Sequence, residues 1–247
     1  MNGREVNVWK GVHGMPNKIF PGGYLLTSRG RRSGKYSVQD GLDVIQVDWD
    51  GDIVWEWNCN EHFDEMGFRE GPKNTLARNP NYRPTQPEGM GDWMHINSMS
   101  VLGPNKWYDA GDKRFHPDNI IIDCRDANII LIIEKATGDI VWKIGPYFDQ
   151  TPELRKLGWI IGQHHAHMIP RGLPGEGNIL IYDNGGWAGY YAPNPGSPTG
   201  IRGALRDYSR VLEIDPVTLE IVWQMTPKEA GYLMPLDANR FYSPFIS

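Results

Sequence analysis

Residues 128–145 read NIILIIEKATGDIVWKIG, and this stretch carries the pattern that organises the whole chain. The five aliphatic residues at 129–133 are followed by a turn that contains Thr137 and Gly138, and a second β-branched run then leads to Trp142. Two short apolar runs joined by turn-forming residues predict an antiparallel β-hairpin. We therefore expect a strand–turn–strand unit at the centre of the chain.

The same pattern occurs twice more. LDVIQVDWDGDIVWEWN at 42–58 and SRVLEIDPVTLEIVWQMT at 209–226 place Trp55 and Trp223 at the position of Trp142. Each copy is preceded by another strand-like segment: GGYLLTSRG at 22–30, DNIIIDCRD at 118–126 and GNILIYDNG at 177–185. Ahead of these lies a segment with histidine: VHGMPNKIF at 12–20, HINSMSVLG at 95–103 and QHHAHMIP at 163–170. One unit therefore reads as four short antiparallel strands.

Repeated four-stranded units with a recurring aromatic residue are typical of β-propeller blades. We predict a single all-β domain with blade-like units at about 12–58, 95–145 and 163–227, and the first strand of a fourth unit at 240–247. Three blades do not close a ring, so we expect a partial propeller. A two-sheet sandwich is the alternative, because short strands with regular turns also describe that class.

The units are separated by long insertions. We assign them to 59–94, 146–162 and 186–208, and expect a short helix near 61–68 that Gly71 and Pro72 would stop. The second insertion is expected to hold a helical turn, and the third an ordered loop rich in Gly, Pro and aromatic residues. Insertions of this kind commonly build binding sites.

Composition limits the classes of partner. Among 247 residues, 25 Lys and Arg stand against 30 Asp and Glu, and the net charge of -5 argues against a nucleic-acid binder. The aliphatic run 129–133 is far shorter than a membrane span. No export signal is recognisable at the N-terminus, so the default expectation is a cytoplasmic protein, or a periplasmic one if the N-terminus is incomplete. Two cysteines, Cys59 and Cys124, exclude a disulfide framework and leave open whether they are bridged.

The recurring histidines are the first candidates for chemistry. His95 and His164 occupy equivalent positions in the second and third units, and His13 has a similar place in the first. Because innermost strands of propeller blades line a central channel, these imidazoles would converge there and suit an anionic substrate. An ordinary structural role is the alternative for any one of them.

Four polar residues are candidate substrate contacts. Asn97 follows His95, and Asp183 and Asn184 end a strand, where turn formation is the alternative role. Arg125 offers a planar guanidinium for a sulfate-like anion, unless Asp123 or Asp126 pairs with it.

Two further interpretations remain open at this stage. If strand alternation holds, His165 and His167 share a face with Gln163 and make a weaker candidate for a metal site, which needs a third ligand from elsewhere. In the third insertion, Trp187, Tyr190 and Tyr191 are candidates for an aromatic wall around a ring-bearing substrate.

The motifs GDWMHINSMSVLG, HPDNIIIDCRDANIILIIEKATGDIVWKIG, GQHHAHMIP and YSRVLEIDPVTLEIVW, together with FYSPFIS, resemble the bacterial arylsulfate sulfotransferases. The resemblance runs from about residue 91 to the C-terminus and, less specifically, over 12–58. It implies a six-bladed β-propeller that moves a sulfuryl group from a phenolic sulfate ester to a phenolic acceptor. The implied route is a ping-pong reaction through a sulfohistidine, without a cofactor.

Carried over by residue, the resemblance assigns His95 and His164 to the pair that holds the sulfuryl group. The arginine of the family pattern has no direct counterpart after Gly185, and the candidates are Arg125, Arg202, Arg206 and Arg210, with Arg210 included in the predicted substrate site. No histidine follows His167. The nucleophile is therefore either absent from this chain or replaced by one of the histidines present.

The predicted function is thus an arylsulfate sulfotransferase whose partners are small aryl sulfates and phenols, with association of identical copies left open. A non-catalytic propeller that binds partners is one alternative. A quinone-dependent dehydrogenase-like propeller is the other, because TGDIVW at 137–142 also fits its repeats, although the histidine strands disfavour it.

Overall fold

The computed structural model describes residues 3–10, 12, 16–31, 41–78, 93–233 and 235–244. Most regular structure in these ranges is β. The strands are β1 Lys18–Phe20, β2 Tyr24–Arg31, β3 Gly41–Val47, β4 Ile53–Asn58, β5 Ile96–Val101, β6 Ile120–Cys124, β7 Ile129–Ile133, β8 Ile140–Ile144, β9 His164–Met168, β10 Ile179–Asp183, β11 Ala188–Tyr190, β12 Ile201–Ala204, β13 Arg210–Ile214 and β14 Ile221–Met225. The α-helices are α1 Glu70–Arg78, α2 Lys106–Asp109 and α3 Pro152–Leu157.

Three four-stranded antiparallel sheets form the body of the chain. Their strand orders are β1-β2-β3-β4, β5-β6-β7-β8 and β9-β10-β13-β14, and we call these sheets unit 1, unit 2 and unit 3. Each unit is a meander, interrupted in unit 3 by the hairpin of β11 and β12. The prediction of an all-β chain built from repeated four-stranded units is confirmed. The closed ring and the single-domain description stay predictions.

Unit 2 lies between the other two units, and the apolar character of its central strands accounts for this position. Every residue of β6 and β7 is buried, which matches the uninterrupted apolar runs of these strands. In unit 3, β10 alternates between buried and half-buried residues, as expected for a strand with one covered face. The number of covered faces is therefore readable from the strand sequences.

Two apolar clusters join the units face to face. Val44 and Leu26 of unit 1 pack with Leu131 and Ile133 of unit 2 in the first cluster. In the second cluster, residues of the opposite face of unit 2 pack with residues of unit 3: Ile130, Ile132 and Trp142 with Ile179, Ile181 and Leu212. The alternate residues of one strand, β7, thus contribute to both clusters.

A repeated tryptophan contact accompanies this stacking. The indole N–H of Trp55 donates to the carbonyl of Lys135 at 2.9 Å, and that of Trp142 donates to the carbonyl of Pro216 at 2.7 Å. Each acceptor is the second residue of the turn in the following unit, after Ile133 and Ile214. The recurring tryptophan therefore links each unit to the next one along the chain.

The insertions differ in part from their predictions. In the first, a 3-10 helix covers Asp64–Met66 and α1 begins at Glu70, so Gly71 and Pro72 lie in the first turn of a helix instead of ending one. Proline is tolerated there because its missing N–H has no partner within the helix. Residues 79–92 of this insertion lie outside the described residues, as does His13.

The other two insertions contain regular structure. The second holds α3, as expected. The third, predicted as a loop, contains the two-stranded hairpin of β11 and β12. This hairpin packs on the first insertion, where the hydroxyl of Thr75 donates to the carbonyl of Tyr191 at 2.6 Å.

The C-terminal segment was predicted to begin a fourth unit at residue 240. Instead, Ala238–Phe241 form a 3-10 helix, and residues 242–244 form no strand. Their backbone groups bond to side chains of units 2 and 3 in place of a neighbouring strand, through Arg125, Asn184 and Ser209. Residues 245–247 lie outside the described residues. Among the helices that the structure describes, none has the length and apolar character of a membrane span.

We predict that the equivalent tryptophans of units 2 and 3 differ sharply in their contribution to stability. Trp142 is 7% exposed and hydrogen-bonded to unit 3, whereas Trp223 is 46% exposed. Trp142→Ala should lower the free energy of unfolding by about 3–5 kcal/mol, and Trp223→Ala by about 1 kcal/mol or less. Urea unfolding of both variants at low protein concentration measures the difference. Equal losses would contradict the assignment of Trp142 to a buried interface between units.

Candidate functional site

The two predicted catalytic histidines lie at the starts of equivalent strands. His95 immediately precedes β5, and His164 is the first residue of β9. Both strands contain an extra residue near this end, because the pairing register shifts between Ile96 and Ser98 in β5 and opposite Leu180 and Tyr182 in β9. Such β-bulges redirect side chains and are common beside active sites.

Positive φ angles accompany the bulges. His95 has a φ of 51° and His165 a φ of 56°. Left-handed backbone is unfavourable for residues other than glycine, and it is found repeatedly at functional sites. The histidine-bearing ends of units 2 and 3 are therefore held in an unusual backbone conformation by the surrounding contacts.

The imidazole of His164 is oriented by a side-chain network. Its Nδ1 lies 2.6 Å from Oδ1 of Asn184 and 3.2 Å from the carbonyl oxygen of Gly162. The amide of Asn184 is itself oriented, because its Nδ2 donates to the carbonyl of Ser243 at 2.6 Å. Both groups facing Nδ1 are acceptors, so Nδ1 carries the proton and Nε2 of the neutral ring holds a lone pair.

The surroundings of His164 favour that neutral form. Burial lowers its pKa from the ordinary value of 6.5, and the charges of Arg125 and His95 lower it further, against the opposing effect of the bonds to Asn184 and Gly162. These interactions also show that units 2 and 3 bring His95, His164 and Arg125 together. The backbone N–H of Arg125 also donates to the carbonyl of His95 at 2.9 Å. The predicted convergence of His95 and His164 with His13 on one channel stays a prediction, because His13 lies outside the described residues.

Arg125 is buried beside this pair. Its Nη1 donates to Oδ1 of Asp126 at 2.6 Å, and its Nη2 donates to the carbonyl of Pro244 at 3.2 Å. The ion pair that the sequence left open is therefore formed with Asp126. Arg125 contributes a fixed positive charge next to His164, held in place by its neighbour and by the C-terminal segment.

A second ion cluster corrects the predicted role of Asp183. Its Oδ1 lies 2.9 Å from Nη2 of Arg206 and accepts from the N–H of Ile161, and its Oδ2 accepts from Nε of Arg210 at 2.8 Å. Asp183 is fully buried. With both oxygens engaged, it is the counter-ion of two arginines, and a carboxylate there would repel a sulfate ester. Arg210, also predicted to bind substrate, supports this cluster and the carbonyl of Trp159.

The two clusters hold three guanidinium groups by ion pairs. Asp126 pairs with Arg125, and Asp183 pairs with both Arg206 and Arg210. Asn97, whose Nδ2 lies 3.4 Å from the carbonyl of Gln163, stays a predicted contact.

The metal interpretation of the histidine cluster finds no third ligand among the described residues. The bulge in β9 breaks the alternation, so Gln163 is buried while His165 is exposed, and they do not share a face. The rings of His165 and His167 lie 4.7 Å apart. Among the residues that the structure describes, no group of three or more His, Cys, Asp or Glu side chains is arranged to hold a metal ion.

The predicted aromatic wall is only partly available. Tyr190 is buried in the core, and its hydroxyl donates to the carbonyl of Trp93 at 2.7 Å. Tyr191 packs near Tyr147 and Trp159, and burial raises the pKa of its hydroxyl. Trp187 remains 38% exposed. Tyr190 is therefore a core residue, and Trp187 is the member of the set that a substrate ring can reach.

Three positioning residues were missed from the sequence. Gln163 Nε2 donates to the carbonyls of Cys124 and Ile129, and Asn128 accepts from the N–H of Gly162, so unit 2 holds the residues just before His164. Asp123 accepts from the N–H of Ala166, just after it. A polar residue inside an otherwise apolar strand, such as Asp123, was the available signal.

The described site combines two histidines with three buried or half-buried arginines beside stacked β-sheets. The family model for arylsulfotransferase (ASST) matches residues 21–247, and the chain belongs to this family. No curated protein matches the chain significantly. One solved structure that it resembles is a protein of unknown function from Bacteroides caccae, at 12% identity over 91% of this chain and 71% of that chain. The TM-score of 0.34 is too low to decide the fold.

We predict that Asp123 makes stability depend on pH. Burial raises the pKa of this carboxyl from 3.8 to about 8, so the folded chain retains a proton that the unfolded chain releases between these values. Stability should therefore fall as pH rises from about 4 to about 8, by up to about 1.4 kcal/mol per pH unit. Asp123→Asn should remove this dependence. Urea unfolding at a series of pH values tests it, and an unchanged slope in the variant would contradict the assignment.

Proposed function

We propose that this chain carries the sulfuryl-transfer site of an arylsulfate sulfotransferase, which moves a sulfuryl group from a phenolic sulfate ester to a phenolic acceptor. Membership of the arylsulfotransferase family supports the reaction class. The observation that carries the proposal is the imidazole of His164, which Asn184 orients at 2.6 Å and whose pKa is lowered by burial and by the charges of Arg125 and His95. A histidine nucleophile requires an oriented ring with a free lone pair, and the negatively charged sulfuryl oxygens of the transition state are stabilised by positive groups.

The proposed first step uses Nε2 of His164 as the nucleophile. Its lone pair attacks the sulfur of the aryl sulfate, an N–S bond forms, and the bond from sulfur to the aryl oxygen breaks. The bonding pair leaves with the phenolate, which takes a proton from His95 acting as general acid. The proton on Nδ1 stays in its bond to Asn184 throughout this step. The product is a sulfohistidine and a phenol.

The second step reverses the first with a new phenol. The acceptor oxygen loses its proton to His95, attacks sulfur, and the N–S bond breaks with its electron pair returning to Nε2. Charge on the peripheral sulfuryl oxygens resembles that in phosphoryl transfer, where positioning and electrostatic stabilisation dominate catalysis. The positive charge of Arg125 supplies part of this field. Donor and acceptor can use the same place in turn, which is the basis of ping-pong behaviour.

The arrangement of innermost strands supports a propeller as the framework. The first strands of units 2 and 3 are neighbours, since the hydroxyl of Ser98 in β5 lies 3.4 Å from the carbonyl of Ala166 in β9. Lys18 of β1 in unit 1 contributes to the electrostatic lowering of the pKa of His165. These contacts support our proposal that the first strands of the three units face a common centre and form part of a six-bladed ring with the site on its axis.

We predict that the activity depends on His164 and not on its neighbour. With 4-nitrophenyl sulfate as donor and phenol as acceptor, His164→Asn should lower turnover by at least ~100-fold, because a positioned nucleophile is lost. His165→Asn is the matched control, since this exposed histidine is adjacent in sequence and should leave turnover within about threefold of the parent. Release of nitrophenol measures the turnover of both variants. The turnover of His95→Asn should be lowered to a similar extent as that of His164→Asn.

Trapping distinguishes the two parts of this proposal. Incubation with donor alone should place a sulfuryl group on His164, visible by mass spectrometry of peptides prepared under alkaline conditions. Transfer activity that survives in His164→Asn would remove this residue as nucleophile. Absence of nitrophenol release from the parent chain, with any acceptor phenol, would contradict the enzyme assignment itself.

We predict that Asn184 sets the pH range of the reaction. In Asn184→Asp a carboxylate replaces the amide oxygen 2.6 Å from Nδ1, which stabilises the protonated ring and raises the pKa of His164. Because attack needs the neutral ring, the acidic limb of the kcat/KM profile should move to higher pH by about 1–2 units. The limb is measured with 4-nitrophenyl sulfate. If kcat/KM falls by the same factor at every pH and the acidic limb does not move, Asn184 does not act through His164.

A further inference from the structure

A groove of about 570 Å³ lies at the contact between units 1 and 2, and neither His95 nor His164 lines it. Its wall on the side of unit 1 is largely apolar, and its wall on the side of unit 2 is largely polar. The residues that matter for its chemistry are Tyr24, Val54 and Trp55 on one side and His116, Asp118 and Lys135 on the other. Apolar walls with a few polar groups are typical of small-molecule sites.

The contact between units 2 and 3 contains an equivalent place, because the two units share one register. β6 begins at Ile120 and β10 begins at Ile179, and each of these residues pairs with the last residue of the next strand in its sheet. Asp118 therefore corresponds to Gly177, since each is the second residue before its strand.

Trp107 of α2 occupies this place between units 2 and 3. Its indole N–H donates to the carbonyl of Gly177 at 2.7 Å, and its ring packs against the apolar cluster that joins these two units. Trp107 lies in the connection between β5 and β6, residues 102–119. The corresponding connection in unit 1 is residues 21–23, a tight turn closed by a bond from the N–H of Gly23 to the carbonyl of Phe20. Unit 1 therefore has no counterpart of Trp107.

The side chains around the groove are correspondingly less covered than their counterparts. Val54 is 51% exposed, whereas the equivalent Val141 is half-buried and packs against the cluster between units 2 and 3. Trp55 is half-buried, whereas the equivalent Trp142 is buried. Tyr24 is also exposed. The contact between units 1 and 2 thus lacks the ring that completes the contact between units 2 and 3.

The polar groups of the groove are held in place by the protein. Nδ1 of His116 accepts from the backbone N–H of Asp118 at 3.2 Å, so Nε2 of the neutral ring carries the proton. Nζ of Lys135 donates to Oε1 of Gln46 at 2.5 Å, which ties the two walls together. The carbonyl of Asp118 is the counterpart of the carbonyl that accepts from Trp107. The groove therefore combines apolar walls with an acceptor for an N–H or O–H.

We propose that this groove is a second binding site, for a neutral planar aromatic ring that carries an N–H or O–H, such as an indole or a phenol. The ring lies against Tyr24, Val54 and Trp55, and its N–H or O–H donates to the carbonyl of Asp118. The ligand thus takes the place that the indole of Trp107 takes between units 2 and 3. The inference does not depend on the proposed transfer reaction, because the groove shares no residue with the histidine site.

Titration of the full chain with 5-fluoroindole, followed by ¹⁹F NMR, tests whether such a ring binds. We expect a Kd of about 1 mM or lower, the scale for a ligand of roughly ten heavy atoms. The analogue 5-fluoro-1-methylindole lacks the N–H. It should bind about threefold to tenfold more weakly, because the hydrogen bond to the carbonyl of Asp118 is lost.

Two matched substitutions test where the ring binds. Ala136 is an exposed residue of the groove lining, so Ala136→Trp should fill the space and weaken binding at least about tenfold. Val217→Trp is the control, because Val217 is exposed at the same turn position of unit 3, where Trp107 already occupies the equivalent place. It should bind 5-fluoroindole as the parent does. Urea unfolding of both variants checks that they fold.

Three results would overturn the inference. The first is no binding by the parent at about 5 mM 5-fluoroindole. The second is equal binding of the methylated analogue, which would remove the bond to Asp118. The third is binding that Ala136→Trp leaves unchanged, and if Trp187→Ala then abolishes it, the ring binds beside the exposed Trp187 and not in the groove.

Discussion

The need of a four-stranded sheet to cover both of its faces is the constraint on which this structure depends. Strands of about five residues bury too little apolar area in a single sheet, so each unit must stack on another one. In unit 2 this requirement is fully met, since every residue of β6 and β7 is buried between unit 1 and unit 3. The indoles of Trp55 and Trp142 add a directional contact to this stacking, because each donates to a backbone carbonyl of the next turn. Apolar packing supplies the attraction, and the indole bonds hold the register between units.

The candidate site follows from the same stacking. When units 2 and 3 pack face to face, the starts of β5 and β9 come together, and with them His95 and His164. The polar residues that position His164 come from both units: Asp123 and Asn128 of unit 2 hold the backbone on either side of it, and Asn184 of unit 3 orients its ring. Burial between the units also lowers the pKa of His164. The interface between units is therefore also the place where the chemistry is proposed to occur.

Much of the fold could be predicted from the sequence, because the repeat consists of residues with strong preferences for strands or turns. The Ile-Val-Trp strands, the turn residues and the alternating histidine segments predicted the three four-stranded sheets and the equivalence of His95 with His164. The errors lie where tertiary contacts override local preference. Pro72 was read as a helix stop, although it occupies the first turn of α1. The segment from residue 240 was read as a strand, although its backbone groups bond to side chains of the site. Asp183 was predicted to be a substrate ligand, although both of its carboxylate oxygens form ion pairs with two arginines that are distant in sequence.

The sequence by itself determined the repeat, the strand count of each unit, the family resemblance that the match over 21–247 confirms, and the residue types available for catalysis. The repeat and the strand count follow from short-range periodicity, which a single chain displays without reference to its partners in space, whereas the resemblance rests on the motifs that this chain shares with the family. Only the tertiary structure decided which nitrogen of His164 carries the proton, which carboxylate pairs with Arg125, and why Gln163 turns inward while His165 turns outward. Each of these depends on hydrogen bonds and bulges between segments tens of residues apart, and no local pattern records which of several equivalent polar groups will meet when the sheets stack.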